Sequence, residues 1–221
     1  MSPRKVARKP KPTAAAQAPH VHFPHRAALR DWLEKHHASH PPIWLVYDKA
    51  GKGAARSLTY DDIVEEALCF GWIDSVSGSV DATQAKLYFS PRKPKSGWSA
   101  RNKKLIESLR GRGLMMAPGE AKIQGAMGDG SWTLLDAIEA LEVPPDLAKA
   151  LKAAPEARAH FEAFPRGVRK RILAWVYGAK RAETRATRVE TVVRLAAQNI
   201  RATEPTPAKG VRAGKRSKPP R

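Results

Sequence analysis

The 221-residue chain holds a single cysteine, Cys69. That excludes an internal disulfide and any cysteine-rich zinc site, and it fits a reducing compartment. Long apolar runs are missing too. Stretches such as Ile43-Trp44-Leu45-Val46-Tyr47 last about five residues, far short of the roughly 20 that a membrane-spanning helix needs. Residues 1–19, MSPRKVARKPKPTAAAQAP, open on basic residues but supply alanine and proline where a secretory signal has a strongly apolar core. A cytoplasmic location is therefore expected. Acid is scarce at both ends. Residues 1–19 carry five Lys or Arg and no acid, and residues 201–221 carry seven against Glu204 alone, which leaves +8 of the net +19 for residues 20–200. Segments so rich in Pro, Ala and Lys bury little apolar surface and are expected to be disordered basic tails. They suit solubility, or non-specific attraction to nucleic acid through counterion release. Also absent are a glycine-rich phosphate loop, a nucleophile elbow and any strong metal-ligand spacing. No cofactor and no metal are expected, and a binding role is favoured over an enzyme.

Hydrophobic spacing supplies the architecture. Ala28, Leu29, Trp32, Leu33 and His36 recur at helical intervals, which predicts a helix over 25–38 that stops before Pro41-Pro42. Ile43 to Lys49 reads as a strand closed by turn residues at 50–53. Thr59 is placed to cap the next helix, with Asp62 three residues on in the manner of a capping box. Ile63, Ala67 and Phe70 form its inner face, and Gly71 supplies the stop. Extended character returns over 72–91, so a small antiparallel sheet of about three strands is expected. From Trp98 onward the chain reads as helical. Leu105, Ile106 and Leu109 form one stripe, Pro118, Pro145, Pro155 and Pro165 stand at helix starts, and Val189, Val192, Val193, Ala196 and Ile200 mark the last apolar face. The expected organisation is an α+β domain over 20–130, an all-helical region over 131–200, and tails over 1–19 and 201–221.

Six histidines crowd into residues 20–40, but Pro41 disfavours the helical geometry that would align His40 with His36, so packing or solvated roles are expected. Cys69, flanked by Leu68 and Phe70, reads as a small buried hydrophobe. Asp61, Asp62, Glu65 and Glu66 occupy the first turns of their helix, where negative charge favours the helix dipole.

Two polar constellations remain. In the first, Trp72 and Asp74 precede Arg92, Lys95, Ser96, Trp98 and Asn102. Pro91 and Pro94 hold the basic loop extended, and Ser96 or Ser99 is placed to cap the helix that follows. Exposed helix N–H groups beside Arg92 and Lys95 suit an anion; the structural alternative is an Asp74–Arg92 ion pair. In the second, residues 179–188 read AKRAETRATR. Here Arg181, Arg185 and Arg188 are spaced to share one helix face, alongside Lys180, Glu183 and Thr184. Three guanidiniums so placed suit a phosphate, a carboxylate or a nucleic-acid backbone, and a salt-bridged face is the alternative. The expected ligand site joins both constellations.

The stretches WLEKHHASHPPIWLVYDK, TYDDIVEEALCFGWIDSV, FSPRKPKSGWSARN and AKRAETRATRV together resemble the YdeI/OmpD-associated family, also described as bacteriocin-protection proteins, from about residue 23 to residue 200. The resemblance implies tolerance of membrane-active peptides or bacteriocins and association with an outer-membrane porin, without a catalytic mechanism. The expected function is thus non-catalytic stress or antimicrobial-peptide protection through a protein partner or a small anion. A nucleic-acid-binding module using the tails and the Arg181/Arg185/Arg188 face is the alternative. An enzyme, with Asp74 as its acid or base, comes third.

Overall fold

The computed structural model describes residues 14–49 and 58–203. The outer parts of both expected tails and the expected turn at 50–53 lie outside the described residues. The chain divides into two units, residues 1–135 and 136–221, and the fold is α+β in the first and helical in the second.

The first unit is built on a four-stranded sheet. A four-residue helix, α1 (Ala14–Gln17), leads into β1 (His20–His22), α2 (Arg26–His36), β2 (Ile43–Asp48), α3 (Tyr60–Cys69), β3 (Trp72–Ser79) and β4 (Gln84–Pro91), in the sheet order β1-β2-β4-β3. β2, β4 and β3 are antiparallel neighbours, whereas β1 lies parallel to β2 with His20 opposite Trp44 and His22 opposite Val46. The sheet is therefore mixed, with one strand more than the sequence predicts. His-Val-His is too short and too polar to announce a strand, and the preceding segment is tied down instead by the Trp44 indole N–H, which donates to the Ala15 carbonyl at 2.7 Å.

Alternation along β2 and β4 sends Ile43, Leu45, Leu87 and Phe89 into a core completed by Leu29 and Leu33 of α2 and by Ile63, Ala67 and Cys69 of α3. The Thr59 capping box forms in full: the Thr59 hydroxyl accepts from the Asp62 N–H, and the Asp62 carboxylate accepts from the Thr59 N–H. Cys69 is fully buried, and burial pushes its thiol up to about 11, which leaves it an inert hydrophobe at neutral pH. The helix acids serve the scaffold as well. Glu66, 1% exposed, accepts from Arg26 Nε at 2.7 Å and from Arg30 Nη1 at 3.0 Å, joining α3 to α2.

Two further helices close this unit, α4 (Ala100–Gly111), capped by the Ser99 hydroxyl, and α5 (Ala117–Gly128). α5 meets the end of α3 at very short range. A Cβ on Gly119 would stand 2.3 Å from the Cys69 carbonyl oxygen and 2.5 Å from that of Leu68. Because both obstacles are backbone, Gly119→Ala is expected to cost about 1–3 kcal/mol, measurable as a drop in urea midpoint without a change in slope.

The second unit holds α6 (Asp136–Glu139), α7 (Pro145–Lys152), α8 (Pro155–Ala163), α9 (Arg166–Tyr177) and α10 (Ala182–Ala197). Pro145 and Pro155 take the first helical position, where the missing N–H has no partner to lose. A separate core of Leu147, Leu151, Phe161, Ile172, Leu173, Val176 and Val192 lies between these helices. Among the described residues, no helix is long and apolar enough to cross a membrane.

Candidate functional site

The segment Arg92–Ser99 leaves the end of β4 and runs to the start of α4. Its first residue is fixed by the fold: the Arg92 N–H donates to the Gly71 carbonyl at 2.9 Å, and Gly71 itself occupies the left-handed region at φ +71. The Arg92 side chain is only 3% exposed. Its guanidinium lies 3.6 Å from the centre of the Trp98 ring and donates from Nη2 to the Gly97 carbonyl at 2.5 Å. Its Nε and Nη1 have no hydrogen-bond partner. No carboxylate neutralises the charge, and burial lowers the guanidinium from its ordinary value to about 10. An arginine this deep is normally paired, so the orphaned donors require an explanation other than stability.

The loop then closes over a cavity of about 230 Å³, lined by Arg92, Lys95, Ser96 and Trp98 from one side and by Lys122, Asp129 and Ser131 from the end of α5 and beyond. Gly97 makes the fold of the loop possible, since a Cβ there would stand 2.6 Å from Leu135 Cγ. Lys95 sits at φ +60, a left-handed conformation that costs a non-glycine residue about 1–2 kcal/mol. Its N–H donates to Asp129 Oδ2 at 3.1 Å, while the Ser131 N–H donates to Asp129 Oδ1 at 2.9 Å. Ser131, by its hydroxyl and its N–H, holds the Asp129 carboxyl below its usual range. The Ser131 hydroxyl lies beside the Asp129 carboxylate, although no hydrogen bond of good geometry engages its buried Oγ. The Ser96 hydroxyl is spent locally on the Lys93 carbonyl at 2.7 Å.

Of the residues expected in the first constellation, the cavity gathers Arg92, Lys95, Ser96 and Trp98. Trp72 is 1% exposed and donates its indole N–H to the His37 carbonyl at 3.0 Å, packed edge-on to Trp32. Asn102 stands in the first turn of α4, where its N–H meets the Ser99 hydroxyl at 3.2 Å. The Asp74–Arg92 pair does not form. Asp74 accepts instead from the Tyr60 hydroxyl at 2.9 Å, because it lies on β3 just before a bulge that interrupts its register with β4. Lys122, Asp129 and Ser131 were not foreseen; the one signal they leave is the polar Asp-Gly-Ser turn at 129–131, with Gly130 at φ +78.

The second constellation lies in the other unit. Arg181 is the N-cap residue of α10, outside the helix, so the expected three-arginine face is reduced to Arg185 and Arg188. Both are engaged. Arg185 grips Asp146 through Nε at 2.5 Å and Nη2 at 2.9 Å, which lowers the Asp146 carboxyl and raises the guanidinium. Arg188 donates to the Trp175 carbonyl at 2.5 Å and lies 5.2 Å from that ring's centre. Lys180, Glu183 and Thr184 are exposed around the start of the helix. Glu65 and Glu66 of the first unit bind Arg26, Arg30 and Arg112. No group of three or more potential metal ligands occurs among the described residues, the histidines of 20–40 included.

Two family models match the chain, one in each unit. Residues 21–122 match a domain of unknown function, DUF8412. Residues 140–199 match the family described as Bacteriocin-protection, YdeI or OmpD-Associated. The resemblance read over residues 23–200 therefore holds for its C-terminal third, while the stretches around FGWIDS and SPRKPKSGWS fall within the residues that match the domain of unknown function. No curated protein and no solved structure matches the chain.

Proposed function

Because residues 140–199 match the bacteriocin-protection family, we propose that the protein is a non-catalytic protection module, acting in the cytoplasm against bacteriocin or antimicrobial-peptide stress through a small anion or a protein partner. That match carries the reading. Support for the anion comes from Arg92, whose buried and unneutralised charge suits a group held ready for a ligand. The mode of protection is indirect, because a chain of net charge +19 repels cationic peptides rather than sequestering them.

The expected result is higher survival of a bacteriocin-sensitive strain that expresses the full chain, with no binding of the peptide to the purified protein at physiological salt. Unchanged survival at confirmed expression of folded protein would sink the reading. Nucleic-acid binding is the second reading, favoured by the charge of residues 1–19 and 201–221. With Arg185 and Arg188 engaged by partners, it rests on those segments. A steep salt dependence that disappears when they are removed is its signature.

A further inference from the structure

The cavity beneath the 92–98 loop has donors in excess of acceptors. Arg92 offers Nε–H and Nη1–H, which lie on different edges of the guanidinium because Nε–H shares its edge with the Nη2 bound to Gly97; neither has a partner, and the buried Ser131 hydroxyl beside Asp129 makes no hydrogen bond of good geometry. Lys93 and Lys95 from the loop and Lys122 from α5 add three ammonium groups to the wall. Asp129 is the single carboxylate on the wall, and its two oxygens already accept from the backbone N–H groups of Lys95 and Ser131. A bound group must therefore bring several acceptor oxygens and more than one negative charge. A carboxylate brings two oxygens and one charge, whereas a phosphate group brings three or four oxygens and a charge between −1 and −2 near neutrality. At about 230 Å³ the space is below that of a typical drug-sized site, so it suits a compact ion or the terminal group of a small molecule.

We infer that this cavity binds a phosphate group, with a free N–H of Arg92 and the Ser131 hydroxyl donating to its oxygens and Lys95 and Lys122 balancing its charge. This deepens the anion arm of the proposed function and rests on it. Asp129 sets the selectivity. An ionised carboxylate accepts a hydrogen bond from the O–H of monohydrogen phosphate, but it only repels sulfate, which carries no proton at neutral pH. The Arg92 donors are shut off from water, so binding displaces the loop. Lys95, held at φ +60, is the position where strain is released as the loop yields.

The test is titration calorimetry on the full chain at fixed ionic strength, with inorganic phosphate, sulfate and acetate as probes and phosphoserine as a bulkier phosphate source. Phosphate is expected to bind at least about tenfold more tightly than sulfate or acetate. Arg92→Met is expected to weaken phosphate by at least about tenfold, and Asp129→Asn to narrow the gap between phosphate and sulfate. Equal affinity of wild type and Arg92→Met would place the ion on the basic terminal segments and overturn the site. Tighter acetate or sulfate binding that depends on Arg92 would overturn phosphate while leaving the anion reading standing; no Arg92-dependent binding of any probe would overturn both and leave only a protein partner. Phosphoserine binding as tightly as inorganic phosphate would identify a phosphomonoester as the source, and its exclusion would identify the free ion.

Discussion

Arg92→Met is expected to make the protein more stable, by about 1 kcal/mol in phosphate-free buffer. The wild-type guanidinium is desolvated without a counter-charge, and lowering its pKa from its ordinary value to about 10 corresponds to a penalty on the order of 3 kcal/mol for holding the charged form in the folded state. Methionine keeps most of the apolar stem against Trp98 and removes that penalty. It forfeits the bond to Gly97 and the cation–π contact, together worth about 2 kcal/mol. The pH dependence has a definite sign. A base whose folded pKa is depressed destabilises the fold at all pH values below that pKa, and the handicap fades as pH rises through it. The stability gap between variant and wild type should therefore be constant at neutral pH and shrink as pH approaches and passes 10. Chemical denaturation of both proteins at several pH values measures it. If Arg92→Met instead loses 2 kcal/mol or more, Arg92 is a prop for the loop and its orphaned donors carry no functional meaning.

The opposite outcome is expected at Glu66. Replacement by leucine removes the carboxylate that Arg26 and Arg30 share across α2 and α3, leaving two guanidiniums facing an apolar side chain in a nearly water-free position. Breaking such a network from the buried side costs about 3 kcal/mol, the low end of its usual range, because both arginines keep partial access to water and Arg26 retains Asp62 and Glu65. For a unit of this size the melting temperature should fall by on the order of 10 °C. Two members of the network also set an acid limit. Burial pushes Glu65 up, but Arg112 and Arg26 outweigh it and hold the carboxyl below its usual range; for Asp62, Thr59 and Arg26 do the same. Carboxylates so lowered stabilise the fold at higher pH, and their contribution is lost as the medium is acidified through and below the ordinary carboxylate range. A Glu66→Leu melting temperature within a few degrees of wild type would mean that the remaining acids and solvent satisfy both arginines.

Much of this framework is legible in the sequence wherever one physical rule acts alone. The stripe Leu29-Leu33, the Thr59–Asp62 box and the prolines at helix starts are local signals with local outcomes, and each element they announce is present. β1 was not legible, because its stability lies in pairing with β2 and in the anchoring of Ala15 by Trp44 rather than in its own residues. The cavity was half legible. Arg92, Lys95, Ser96 and Trp98 share a short loop, and the prolines and glycine around them flag an unusual backbone. Lys122, Asp129 and Ser131 reach the same space only because Gly119 lets α5 press on the carbonyls that end α3, a contact between residues some fifty positions apart that no local pattern encodes. Asp74 misled for a related reason: its register across the β3–β4 pair places it opposite Phe89 and beside Tyr60, not within reach of Arg92.

The two hydrophobic clusters share no residue, and each lies in the unit that contains one family match. Inheritance can therefore act on them one at a time. A lineage that exchanges or loses the helical module keeps every cavity-lining residue, from Arg92 to Ser131, and a lineage that keeps only the helices carries the protection-family signature with no trace of that cavity. A shared family signature in the helical module is thus silent about what the sheet-bearing module binds, if it binds anything.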